Sequence, residues 1–283
     1  MPRAILLFSL LLLTVFIGVN QVLAREADVE NINLNLNKNE IAITFFDLSD
    51  GEATLLQNQT GETVLINTGA PSAGEELISR LKMYGIKKVD WLLFSNFDPL
   101  YTGNIKRIIE QFSVGTLLGP EHLKKQLRSY SPEPETKIAT FEVKKPFDLF
   151  PGLKASSFYV SENGQSVLSF QYGKHRMLYM GFADKIVEEK LKDEENIKSA
   201  LLKVADFGSG SGTTQPFLEA VDPQVAIIFK KKKEMPNDQV MERLLESWTD
   251  VYNTYRMGSV TIKMDEETYK VFTVPTKRKR VYP

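Results

Sequence analysis

Strand–helix alternation runs through this chain twice, the first time after a meander of strands, and that order restricts what it can fold into. Residues 41–47 (IAITFFD), 53–56 and 63–66 are short β-rich runs separated by Gly51 and by the turn 58–61, the pattern of successive hairpin-linked strands. The spacing of Leu77, Leu81 and Met83 predicts a helix over 72–83. Residues 89–94 read as a continuous apolar strand covered on both sides. A helix at 105–112, a strand at 114–118 and a helix opening at Gly119-Pro120-Glu121 follow. Beyond the Pro-rich stretch 131–135, strands are expected at 140–143, 154–160, 166–172 and 176–180, then a helix at 183–191. Strands at 201–204, 225–229 and 259–264 and a helix at 239–247 complete the chain. Two mixed sheets packed together with helices outside satisfy this order, an α/β fold of the four-layer α/β/β/α sandwich type.

The first 24 residues stand apart. Arg3 and the amino terminus precede an apolar stretch, 4–19, broken by Ser9, Thr14 and Gly18, and Val22-Leu23-Ala24 leads into Arg25-Glu26-Ala27-Asp28. That is the pattern of a secretory signal over 1–24. The stretch is short for a membrane span of about 20 apolar residues, and a retained anchor is the alternative. Residues 25–39 are polar and Asn-rich and read as a linker, 40–275 as one domain, and 276–283 as a basic tail. No other segment is apolar enough to cross a bilayer, so the expected location is secreted, with association to the cell envelope. Cysteine is absent, which excludes disulfides and thiolate metal sites. A net charge of −1 removes any bulk electrostatic case for nucleic acid.

Motifs at regular positions carry a resemblance. The loop Ser95-Asn96-Phe97-Asp98-Pro99-Leu100-Tyr101-Thr102-Gly103 resembles the T-H-x-H-x-D-H-x-G loop of the metallo-β-lactamase superfamily. Asn96, Leu100 and Tyr101 stand at three ligand positions, and Asp98 alone keeps a metal-capable group. Phe46-Asp47-Leu48-Ser49-Asp50-Gly51-Glu52-Ala53 resembles the F-x-D-V-G-Q-G-D-A signature of the extracellular metallo-β-lactamase-like domain of ComEC-type DNA-uptake proteins, and Val64-Leu65-Ile66-Asn67-Thr68-Gly69 resembles their V-L-I-D-T-G. Residues 176–183 are similar to the L-x-G-D-A segment, with Phe182 at the metal-bridging aspartate. Residues 202–209 (LKVADFGS) are similar to L-K-V-x-H-H-G-S, with Asp206 and Phe207 where histidines would stand. The resemblance runs in order from about Ile41 to about Val274 and implies the metallo-β-lactamase sandwich.

The family's zinc does not follow. A dizinc hydrolase needs imidazoles and carboxylates to hold two cations and acidify a bound water. The chain has two histidines, His122 in a polar helix start and His175 in the turn 172–176, both expected at the surface. Only Asp98 and Asp206 could ligate at the former centre. Asn96 and Tyr101 offer neutral oxygens, and Phe97, Leu100, Phe182 and Phe207 bring apolar groups. The expectation is a repacked cleft with no metal or other cofactor, in a catalytically inactive pseudo-hydrolase that serves as a binding or accessory protein. A weak oxygen-ligated Ca²⁺ or Mg²⁺ site is one alternative. Another is a phosphodiester or nucleic-acid hydrolase using a reduced site around Asp98 and Asp206, as an acid/base pair of the kind known in glycosidases. The loop Gly208-Ser209-Gly210-Ser211-Gly212-Thr213-Thr214 could cradle a phosphate, or could serve as a helix entry with Thr213 or Thr214 as N-cap. It lacks the G-K-[ST] ending of a P-loop.

Lys230, Lys231, Lys232 and Lys233 begin where the strand 225–229 ends, and the resemblance places the loop after that strand near the cleft's rim. Four cations there could hold an anionic polymer by counterion release, whether DNA or a wall polymer, or equally lipid headgroups. A solvated turn partly neutralised by Glu234 is the alternative. Lys277-Arg278-Lys279-Arg280 forms a second basic run. No protein partner is indicated.

Overall fold

A computed structural model describes residues 31–131 and 136–275. The signal segment 1–24, residues 25–30 of the predicted linker, 132–135 of the Pro-rich stretch and the basic tail 276–283 lie outside the described residues. Among the described residues, fifteen strands form two sheets. The first contains β1 (Ile41–Phe45), β2 (Thr54–Asn58), β3 (Thr63–Ile66), β4 (Lys88–Leu93), β5 (Ser113–Pro120), β6 (Lys137–Phe141), β14 (Ser259–Met264) and β15 (Tyr269–Val274) in the order β15-β14-β1-β2-β3-β4-β5-β6. The second contains β7 (Phe147–Phe150), β8 (Leu153–Val160), β9 (Ser166–Tyr172), β10 (His175–Met180), β11 (Leu201–Lys203), β12 (Val225–Ile228) and β13 (Asp250–Asn253) in the order β13-β12-β11-β10-β9-β8-β7. Strands β3 to β6 run parallel, as do β10 to β13, and the remaining pairs are antiparallel.

Alternation of side chains along each strand explains why both faces of both sheets are apolar. Leu56, Val64 and Ile66 point between the sheets, where they meet Leu168, Phe170 and Tyr179. Leu55, Leu65 and Leu92 point the other way, to the helices Gly74–Met83 and Ile105–Gln111. Leu178, Leu202 and Ile228 face the helices Lys185–Leu191, Gln215–Val221 and Asp238–Glu246. Helix, sheet, sheet and helix are the four layers expected from the sequence. Among the described residues no helix is long and apolar enough to cross a membrane.

Local differences have physical reasons. Pro120 ends β5 instead of opening a helix. Its φ of −60° and ψ of 144° are extended, and a one-turn 3₁₀ segment precedes the helix Lys124–Tyr130. The strand expected at 140–143 is β6, three residues earlier. The described part of the predicted linker is docked. Ile32 N–H donates to Met83 O at 2.8 Å, Lys263 Nζ donates to Asn35 O at 2.8 Å, and Ile32 and Leu34 pack on the helix-side core.

His122 is exposed, as expected. His175 is not. It sits in β10, buried, with its ring edge-on to Tyr269 at 5.3 Å. Burial, with neighbouring Lys174 adding to it, holds this imidazole below its ordinary value. The unfolded chain therefore takes up a proton that the folded chain resists, and stability falls as pH drops through the unfolded value of about 6.5. In denaturant titrations from about pH 7.5 to about pH 5, His175→Phe is expected to lack this acid-linked component. An unchanged pH profile would show that the ring titrates freely.

Candidate functional site

The carboxyl ends of the parallel strands all point to one end of the sandwich, the usual place for ligand sites in α/β sheets. The loops gathered there follow β3 (Asn67, Thr68), β4 (Ser95 to Gly103), β10 (Gly181, Phe182), β11 (Val204 to Gly208) and β12 (Phe229, Lys230). Backbone hydrogen bonds lock them together. Thr68 N–H donates to Tyr101 O at 2.6 Å, Asn67 N–H to Leu93 O at 2.9 Å, and Ser166 N–H to Ser95 O at 2.7 Å.

The structure brings Asn96, Tyr101, Phe182, Asp206 and Phe207 to this centre, and each is engaged in the protein's own contacts. Asn96 is buried. Its Nδ2 donates to Gly181 O at 2.8 Å, and its Oδ1 accepts from Asp98 N–H at 2.9 Å. Tyr101 OH donates to Asp206 Oδ1 at 2.9 Å, and Ala183 N–H donates to Asp206 Oδ2 at 3.1 Å, so both oxygens of that carboxylate are bonded. Burial first, then the carboxylates of Glu52 and Asp206, raises the Tyr101 hydroxyl well above its ordinary value and keeps it a donor. Asp206 and Phe207 are consecutive residues at φ 40° and 58°, a left-handed turn that costs about 1–2 kcal/mol per residue. The Tyr101 ring lies 5.8 Å from Phe207, and Phe182 lies 5.8 Å from Tyr159.

Asp98 takes a different role. It is exposed and caps the short helix Pro99–Thr102, with Oδ1 accepting from Leu100 N–H at 2.9 Å. Asp98 and Asp206 thus have separate sets of partners. The resemblance implies two zinc ions at this centre, and the residues do not fit them: Asn96 Oδ1, Asp98 Oδ1 and both Asp206 oxygens accept from the protein's own N–H and O–H groups, and Leu100, Phe182 and Phe207 offer no ligand atom. Among the described residues no three His, Cys, Asp or Glu side chains are grouped so as to hold an ion.

Beneath these loops lies a charge pair that sequence reasoning missed. Lys203 and Glu52 are both fully buried, with Lys203 Nζ at 3.0 and 2.7 Å from the two carboxylate oxygens. Tyr179 OH donates to Glu52 Oε1 at 3.1 Å and Asn67 Nδ2 donates to it at 2.9 Å. Asn67 also meets Ser95 through its own two side-chain atoms, at 2.8 and 3.0 Å. The ammonium sits 4.5 Å from the Tyr179 ring centroid and 5.9 Å from that of Tyr101, in cation–π range. Burial pushes the Glu52 carboxyl up and Lys203 opposes it. A lysine inside the apolar run 201–204 was the available signal, because a charge on a doubly covered strand must find a partner.

The Gly-rich loop is a helix entry. Thr214 is the N-cap of the helix Gln215–Val221, but its side chain makes no cap bond. The buried Glu188 of the neighbouring helix instead fixes the loop just ahead of the helix, accepting from Thr213 N–H at 2.5 Å and Thr214 N–H at 2.8 Å. Those donors are therefore turned to a carboxylate of the protein itself.

Beside the centre opens a cavity of about 390 Å³ whose lining includes Asp206, Phe207, Phe229, Lys230 to Lys233, Glu234, Met235 and Tyr255. The lysine loop is shaped by three contacts. Lys230 Nζ lies 4.7 Å from the Tyr255 ring centroid, Lys231 pairs with Glu234 at 2.9 Å, and Lys232 N–H donates to Asp50 Oδ1 at 3.0 Å. Lys232 and Lys233 are exposed. The Glu234 neutralisation expected from sequence falls on Lys231.

No protein-family model matches the chain. In sequence it is 23% identical over 253 residues to competence protein ComA of Neisseria gonorrhoeae, covering 87% of this chain and 35% of that protein. It is 26% identical over 253 residues to ComE operon protein 3 of Bacillus subtilis (strain 168), covering 77% of this chain and 32% of that protein. The chain spans about a third of the length of these relatives. In structure it is similar to the metallo-β-lactamase fold protein YhfI of Bacillus subtilis, with a TM-score of 0.60 and 12% identity over 80% of this chain and all of that one. It is also similar to Zn²⁺-bound PqqB of Methylobacterium extorquens, with a TM-score of 0.57 and 9% identity over 78% of this chain and 99% of that one. The chain has the metallo-β-lactamase fold and is similar in sequence to competence proteins of the ComEC type.

Proposed function

We propose that this protein is a catalytically silent relative of the metallo-hydrolases that works in the cell envelope as a binding or accessory protein. It would hold a polyanion at the cleft lined by Lys230 to Lys233. One observation carries the proposal: Asn96, Tyr101 and Asp206 are bonded to one another's loops, while a lysine-lined cavity opens beside them. A dizinc centre needs clustered imidazoles and carboxylates to hold the cations that acidify a bound water, and Asn96, Leu100, Tyr101, Phe182 and Phe207 do not supply them, whereas clustered ammonium groups displace counterions from a polyanion. The similarity to competence proteins makes single-stranded DNA the first probe.

Four phosphate contacts on a single strand correspond to a salt slope of about −3, a loss of roughly 50-fold between about 50 and 200 mM salt. Lys230→Gln, Lys231→Gln, Lys232→Gln and Lys233→Gln together are expected to remove that slope. Retention on DNA that ignores salt, or survives the fourfold change, would contradict the assignment. The rival hydrolase would use Asp98 and Asp206. Turnover of a phosphodiester that Asp98→Ala and Asp206→Ala both abolish would establish it; no turnover is expected in any of the three proteins.

A further inference from the structure

We propose that the end of the molecule formed by the lysine loop, Met235 and the segment Tyr255-Arg256-Met257 is a docking face for an anionic lipid membrane. It deepens the polyanion assignment and rests on the lysine loop being an anion-binding element.

The first observation is apolar. Met235, Met257 and Tyr255 are 59%, 39% and 36% exposed. Met235 and Tyr255 line the same cavity as the four lysines, and Met257 ends the short helix Thr254–Met257 that carries Tyr255. A flexible polyanion gains little from exposed methionines. A bilayer interface gains from both components, because apolar side chains enter the acyl boundary while lysines reach the headgroups.

The second observation is the charge balance. Arg256 is exposed beside Tyr255 and adds a cation to the face. The acids facing the loop are engaged: Glu234 with Lys231, Asp50 with Lys232 N–H, and Asp206 with Tyr101 and Ala183 N–H.

The third observation is where the described chain ends. Val274 pairs with Ser259, and Pro275 lies against Gly258, where an added Cβ would meet the proline Cα at 2.8 Å. Gly258 directly follows Met257, so the chain leaves the fold at this face. Lys277 to Arg280 follow Pro275 within five residues in sequence. Each cation near an anionic leaflet strengthens attachment about fivefold.

The apolar clusters draw on residues from Ile32 to Val271, so a chain beginning at Arg25 keeps the whole described core while removing the apolar segment 4–19. That protein would be sedimented with vesicles of phosphatidylglycerol and phosphatidylcholine, with pure phosphatidylcholine as the neutral control, and separately titrated with a single-stranded oligonucleotide. Of the two vesicle types only the anionic one is expected to bind, and the oligonucleotide is expected to bind as well. The fourfold Lys→Gln variant should weaken vesicle binding by roughly 600-fold. Met235→Ser, Tyr255→Ser and Met257→Ser combined should weaken vesicle binding about tenfold or more, and Met257→Ser alone, outside the cavity lining, should weaken vesicle binding and leave oligonucleotide binding unchanged. Trp248→Ser changes the most exposed aromatic among the described residues, which precedes β13 at the other end of the strands, and should change neither. Circular dichroism and the unfolding midpoint verify that the variants fold. Oligonucleotide binding without vesicle binding, or vesicle binding indifferent to the apolar triple change, would overturn the membrane face and leave the polyanion assignment standing. Failure to bind either would overturn both.

Discussion

Lys203→Met is expected to destabilise the protein by about 3–5 kcal/mol, the usual cost of leaving one partner of a buried ion pair behind. Glu52 has no access to water, so the orphaned carboxylate must stay charged in an apolar interior or take up a proton. Its carboxyl is already pushed up by burial and held down by Lys203, and losing the ammonium moves it further up. A group whose folded value is raised contributes stability at low pH and loses it as pH climbs through that value. The defect in Lys203→Met should therefore be mild in acid and grow toward neutral pH. Lys203→Met combined with Glu52→Gln should recover much of the loss, because a neutral side chain there can still bond Tyr179 and Asn67. Urea unfolding of the two single variants and the double variant gives the coupling directly. Additive losses would show that the pair is not one unit.

Gly51→Ala is expected to cost on the order of 3 kcal/mol, combining a left-handed backbone with overpacking. Gly51 has φ 77°, and a Cβ there would meet Ala70 N and Leu100 O, each at 2.3 Å. Both contacts are backbone atoms, so no rotamer change relieves them. They belong to the loops after β3 and β4, and Gly51 precedes Glu52, whose N–H and C=O bond Leu100 O and Gly69 N–H. The substitution should pry apart the loops that frame the cleft, lowering the urea midpoint. A loss comparable to Gly61→Ala, where a Cβ would meet nothing within 4 Å, would mean that close approach contributes nothing beyond backbone strain.

The sandwich was legible because its strands are covered on both faces. Runs such as 89–94 and 225–229 are apolar along their length, which only the centre of a layered fold explains. Phe147–Phe150 and Tyr269–Val274 escaped because they are edge strands, short or half-exposed, where periodicity is weak. His175 escaped because the hairpin that holds it reads as a polar turn, while Tyr269 from a distant strand covers it. At the cleft, residue types alone pointed to side chains poor at holding zinc. They did not reveal that Asp206 would be bonded by Tyr101 and Ala183 N–H, or that Glu188 would fix the Gly-rich loop. Those contacts join residues far apart in sequence, and no local pattern announces them.

The central claim is that the side chains standing where a dizinc enzyme keeps its ligands are either apolar or engaged in hydrogen bonds within the protein. Metal analysis of the protein purified without chelators and then dialysed against zinc tests it most directly. The account expects only traces of zinc and an unfolding midpoint that zinc does not move, since an ion that binds the folded state would raise it. Stoichiometric zinc that survives dialysis and raises the midpoint would contradict it.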